Sequence, residues 1–152
     1  GIRCLYLGDT AETTIYEARA GAYDYVTVGK FRLKEDIIVV DLKKINQISP
    51  FIEGLDCLEY AINKEHLNKI NDEMGKIMRR SDSALDYVPT QYITDFVKSI
   101  IHDDKAEYAG IEYKSVMHSG GYNLALFDPD LFECIGTEVY GIDTIDYRKH
   151  VI

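Results

Sequence analysis

The stretch Ile111 to Phe127, I-E-Y-K-S-V-M-H-S-G-G-Y-N-L-A-L-F, constrains this chain most, because a strand pattern breaks into a polar turn and then resumes. A β-turn-β unit is the simplest structure that satisfies it, with Gly120-Gly121 suited to the positive φ of a tight turn. The first strand stops at Ser115, His118 and Ser119, which places hydroxyls and an imidazole at a sheet edge. On spacing alone, a plain hairpin accounts for Gly120-Gly121 more simply than a ligand-holding edge does.

The remaining pattern supplies the rest of an α+β chain. Arg3 to Leu7 reads as a short buried strand, ended by Gly8-Asp9, and the Asp9/Glu12 spacing predicts a capping box opening a helix to about Ala20. Glu17 lies two turns into that helix, on the face of Thr13 and Thr14. Tyr25 to Leu33 alternates, Ile37 to Asp41 is an apolar run, and the charged turn Lys34 to Asp36 joins these two expected strands. After a turn-rich Asn46 to Gly54, the apolar positions from Leu55 to Ile77 predict the longest helix. Arg79 to Asp86 reads as a loop, and Pro89 sits near the start of a third helix ending near His102. Asp128-Pro129-Asp130 is a turn, and Phe132 to Tyr147 suggests one or two further strands. Strands lie on both sides of the long helices without regular alternation, which excludes a doubly wound sheet.

At 152 residues the chain fits a single domain with one core and needs no metal or disulfide to fold. Three dispersed cysteines, Cys4, Cys57 and Cys134, form no zinc spacing and fit a reducing, cytoplasmic setting. No apolar run approaches the roughly 20 residues of a membrane span. A net charge of −9 without a basic run argues against nucleic acid, while leaving local anion binding possible. Homo-oligomerisation stays open. Rossmann, P-loop, zincin and hydrolase-elbow motifs are absent, and the four histidines are too scattered to spell a metal site. Taken singly, His118 reads as an exposed turn residue, Tyr6 as a core tyrosine and Glu17 as a solvated helix charge.

Three segments occurring in one order change that weighting. L-Y-L-G-D-T-A-E-T-T-I-Y-E-A (Leu5 to Ala18), Y-V-P-T-Q-Y-I-T-D-F-V (Tyr87 to Val97) and Gly110 to Phe127 together resemble the RES domain family. The tail D-P-D-L-F-E-C-I-G-T resembles it too. These bacterial toxins are named for a characteristic arginine, glutamate and serine. The resemblance implies an ADP-ribosyltransferase-like split sheet and an NAD pocket, with NAD as substrate rather than resident cofactor. It also implies cleavage of the nicotinamide–ribose bond, which depletes cellular NAD. Relatives act by hydrolysis or by transfer of ADP-ribose to a protein, and many pair with a helix-turn-helix antitoxin that covers the pocket. An inactive NAD-pocket module is the remaining alternative.

Carried over by motif, the family glutamate falls on Glu17 and the family serine on Ser115, with Tyr6 at the position of the family tyrosine. Glu17 is expected to stabilise the oxocarbenium-like transition state, Ser115 to anchor the nicotinamide ribose and Tyr6 to face the nicotinamide ring. His118, Ser119 and Asn123 are taken as substrate-binding neighbours of Ser115. The family arginine belongs to an R-x-N-P-x-G segment ahead of the first strand, and residues 1–152 are expected to lack that segment. Arg3 lies nearby without matching the motif and is kept as a substrate-binding candidate. No metal is implied.

Overall fold

The computed structural model describes residues 4–47, 57–74, 88–102 and 105–145. Arg3, the expected loop Arg79 to Asp86 and most of the turn-rich stretch after Asn46 lie outside them. The chain runs β1 (Leu5–Gly8), α1 (Ala11–Glu17), β2 (Tyr25–Leu33), β3 (Val39–Asp41), α2 (Cys57–Met74) and α3 (Val88–Lys98). It continues through β4 (Ile101–His102), β5 (Lys105–Ala106), β6 (Gly110–Lys114), β7 (Tyr122–Leu126) and β8 (Phe132–Gly141), with 3-10 turns at Leu42–Gln47 and Pro129–Leu131. No described helix is long and apolar enough to cross a membrane.

The fold is α+β, and its strands are divided. One sheet has the order β1-β7-β6-β3, antiparallel except for the parallel β3–β6 pair; β2 and β8 form a separate antiparallel ribbon, and β4 and β5 a minimal one. β2 and β3 are therefore not partners across the Lys34 to Asp36 turn. Val39 and Val40 pair beside Gly110 and Ile111 at the core, whereas the Lys34 N–H bonds to the Leu131 carbonyl next to the β2–β8 ladder. The expected strands after Phe132 resolve into one ten-residue strand, with a register shift where Lys30 and Phe31 face Gly136 and Cys134. On the ribbon's charged face Lys30 pairs with Glu138, and Arg32 with Glu133 at 2.5 Å.

The β-turn-β unit is present as β6 and β7, and it lies in the middle of the main sheet. Ile111 is fully buried and clusters with Leu42, Val97 and Phe127, while Val40, Ile70 and Ile93 pack against the cluster. Two helices thus reach the core, α2 through Ile70 and α3 through Ile93 and Val97. Helix α3 stops at Lys98 rather than at His102, because Ile101 and His102 pair with Ala106 and Lys105 instead. Strand β1 is an edge strand, and this leaves Tyr6 67% exposed rather than buried.

Helix α1 differs from its expected form at both ends. Its N-cap is Thr10, whose Oγ1 accepts the Thr13 N–H at 3.0 Å, one residue later than the Asp9 cap that the spacing suggests. Asp9 instead spends Oδ1 on the Thr13 hydroxyl, at 2.6 Å, and on the Tyr122 N–H, tying the helix start to β7. At the other end the helix finishes at Glu17, because Arg19 turns to φ 52°, a left-handed conformation that no helix continues through. Glu17 is therefore the last helical residue, above the sheet rather than mid-helix.

Candidate functional site

β6 ends at Lys114, and the next residue organises the turn. The buried Ser115 Oγ accepts the Met117 N–H at 3.2 Å and the His118 N–H at 3.0 Å, a side-chain–backbone turn of the kind serine favours. The Ser115 N–H bonds to the Gly121 carbonyl and the Gly121 N–H to the His118 carbonyl. With its oxygen oriented in this way, the Ser115 hydroxyl donates to Glu17 Oε1 at 2.7 Å. The same oxygen accepts from Asn123 Nδ2 at 2.8 Å, from the start of β7. Two residues of the β6–β7 unit, Ser115 and Asn123, thus converge on a carboxylate from the far end of the chain. Among the described residues, no hydrogen bond reaches Glu17 Oε2.

A second set of bonds fixes α1 over the turn. Thr13 is fully buried, and its hydroxyl meets Asp9, Thr10 Oγ1 at 2.9 Å and His118 Nδ1 at 2.8 Å. The His118 ring stacks on Tyr16, with ring centroids 5.1 Å apart and planes 4° from parallel. Gly121 is required here by close approach: a Cβ would lie 2.5 Å from Thr13 Oγ1 and 2.8 Å from His118 Nδ1. Gly120 meets a different demand, a φ of 88°. Gly121→Ala is accordingly expected to destabilise the protein by about 1–3 kcal/mol through overpacking against these polar atoms. A urea titration reads this directly, and an unchanged midpoint would contradict the close approach.

Beside the carboxylate lies a pocket of about 260 Å³ lined by Tyr6, Leu7, Gly8, Thr14, Glu17, Tyr113 and Asn123. The register accounts for three of these, since Tyr113, Asn123 and Gly8 are cross-strand neighbours over β6, β7 and β1. This volume lies just below the usual range of ligand sites, roughly 300–1,000 Å³. Burial, above all, holds the Tyr113 phenol well above its ordinary pKa, with Tyr6, Glu17 and Cys4 adding to the effect. It is a neutral hydroxyl at working pH. The Cys4 thiol is also pushed up by burial, against a hydrogen bond from Tyr6 and the charge of Lys98. Among the described residues, no three His, Cys, Asp or Glu side chains gather as a metal site.

Of the residues named from sequence, Glu17, Ser115 and Asn123 meet directly, and Tyr6, Glu17 and Asn123 line the pocket. Ser115 stands behind Glu17, with its oxygen already taken by two N–H groups. His118 turns to α1 rather than to the pocket, and Ser119 is exposed in the turn without lining it. Arg3 lies outside the described residues. Sequence reasoning passed over Tyr113, Thr14, Thr13, Asp9 and Tyr16. Tyr113 had a readable signal, being two residues before Ser115 on an alternating strand. The Asp9–Thr13–His118 contact had none, because it joins residues more than a hundred positions apart.

A protein-family model described as RES domain matches residues 1–147. No curated protein and no solved structure matches the chain.

Proposed function

The chain belongs to the RES domain family, and on that footing we propose that its carboxylate cluster hydrolyses NAD at the nicotinamide–ribose bond. One observation carries the reading: Glu17 lines the pocket while Ser115 and Asn123 hold only its Oε1. The other carboxylate oxygen, which accepts no hydrogen bond among the described residues, is assigned to substrate.

In this reaction the bond between ribose C1′ and the pyridinium nitrogen breaks, and its electron pair neutralises the departing nicotinamide. Positive charge grows on the ribose, as in other glycosidic cleavages. A fixed carboxylate that accepts hydrogen bonds from the ribose hydroxyls binds that developing cation more tightly than the ground state. Water then adds its oxygen to C1′ and releases its second proton to solvent, giving ADP-ribose. Because nicotinamide leaves as a neutral ring, the step needs no general acid. Tyr6 and Tyr113 supply aromatic walls for the ring, and Ser115 acts on substrate through Glu17. A helix-turn-helix partner that covers this pocket belongs to the same proposal.

Incubation with NAD tests the reading, with nicotinamide and ADP-ribose measured together. Equal release of both supports hydrolysis, whereas nicotinamide release with label retained on a protein makes the acceptor a side chain instead of water. Absence of both products overturns the proposal. Ser115→Ala is expected to lower turnover roughly tenfold through loss of one donor to the carboxylate, worth about 1.5–3 kcal/mol for a bond to a charged group. The KM for NAD should move little; a large KM rise at constant kcat would return Ser115 to direct substrate contact.

A further inference from the structure

The Thr13 hydroxyl has three oxygen or nitrogen partners but only one hydrogen. Asp9 Oδ1, at 2.6 Å, belongs to a carboxylate, which accepts only, so the Thr13 hydrogen goes there. Thr10 Oγ1 and His118 Nδ1 must then both donate to Thr13. The ring is consequently fixed with hydrogen on Nδ1. Its Nε2 points to the more open side, 3.9 Å from Glu12. The stack on Tyr16 fixes the plane of the ring as the hydrogen bond fixes its rotation. Tyr16 directly precedes Glu17, and the His118 N–H is one of the two that orient Ser115.

We propose that His118 is a positioning residue for Glu17. It clamps the short helix α1 to the β6–β7 turn, so that the carboxylate meets Ser115 and Asn123. The physical need is plain, since a seven-residue helix is too short to hold its last residue by its own hydrogen bonds. Side-chain contacts from the sheet must do so, and the described bonds from this turn to α1 come from Ser115 and His118. This inference rests on the functional reading above for its kinetic consequence, but not for its geometry.

The test therefore has two parts. In the wild-type protein, long-range ¹H–¹⁵N spectra of the imidazole should place the hydrogen on Nδ1, and the Asn123 side-chain amide should shift in His118→Ala as its bond to Glu17 loosens. A ring without hydrogen on Nδ1, or an unmoved Asn123 amide, overturns the proposal, and the first readout needs no variant that must fold. In the NAD assay, His118→Ala is expected to lower kcat at least roughly tenfold through misplacement of the carboxylate, with KM changed less than about threefold. His118→Asn, whose amide nitrogen reaches the place of Nδ1, should recover part of that loss. A risen KM at unchanged kcat would make His118 a substrate contact and sink the idea. If wild-type protein releases no nicotinamide while the Asn123 amide still moves, the hydrolase reading falls and the positioning role stands.

Discussion

Glu17→Gln is expected to keep the fold and to slow nicotinamide release by at least ~100-fold, the scale of losing one preorganised transition-state stabiliser. The argument is isosteric. Oε1 of Glu17 only accepts, from Ser115 Oγ and from Asn123 Nδ2, and a glutamine carbonyl can accept both bonds in the same place. The cluster survives. The amide group then occupies the position of Oε2, where a donor replaces an acceptor and the negative charge is gone. Ground-state packing changes little, so the melting temperature should stay within a few degrees while the rate collapses. Full activity in the glutamine variant would remove Glu17 from the mechanism, and a large loss of stability would mean that its charge holds the fold instead.

Ile111→Ala carries the largest expected effect on stability, a loss of about 2–5 kcal/mol from removing a fully buried β-branched side chain. Ile111 has no exposed surface and sits in the cluster of Leu42, Val97 and Phe127, on the central strand β6. Against a total stability of about 5–15 kcal/mol for a domain of ordinary size, that is a large share. The same strand carries Tyr113 and ends next to Ser115, so the variant should lose activity at temperatures where the wild type keeps it. A urea midpoint lowered without change of slope is the expected signature. A loss below about 1 kcal/mol would mean that neighbouring side chains collapse into the space.

Much of the fold can be read from local pattern. The alternation of Tyr25 to Leu33 and the apolar halves of the Ile111 to Phe127 stretch coincide with β2, β6 and β7, because a period of two has one structural outcome. The expectations that changed lie where distant partners decide. β3 leaves β2 for a parallel place beside β6, and His102 leaves its helix for a two-residue strand pair. Thr10 replaces Asp9 as the cap because Asp9 has a better acceptor role across the sheet, and no local rule weighs that.

The site divides in the same way. Glu17, Ser115, Tyr6 and the polar glycine turn were legible from residue types in family order, and Asn123 from its place beside Ser115. Thr13 and Tyr16 were not, since two helix positions look like ordinary packing until a partner arrives. Thus the sequence alone determined the α+β class and the central β-turn-β unit, and it singled out Glu17 as the candidate carboxylate. Tertiary structure decided what each group does: Ser115 spends its oxygen on the turn and its hydrogen on Glu17, and His118 turns away from the pocket to hold α1. The physical reason is that hydrogen-bond capacity is finite. A hydroxyl has one hydrogen, and which of several suitors takes it is settled only when the chain brings them within reach.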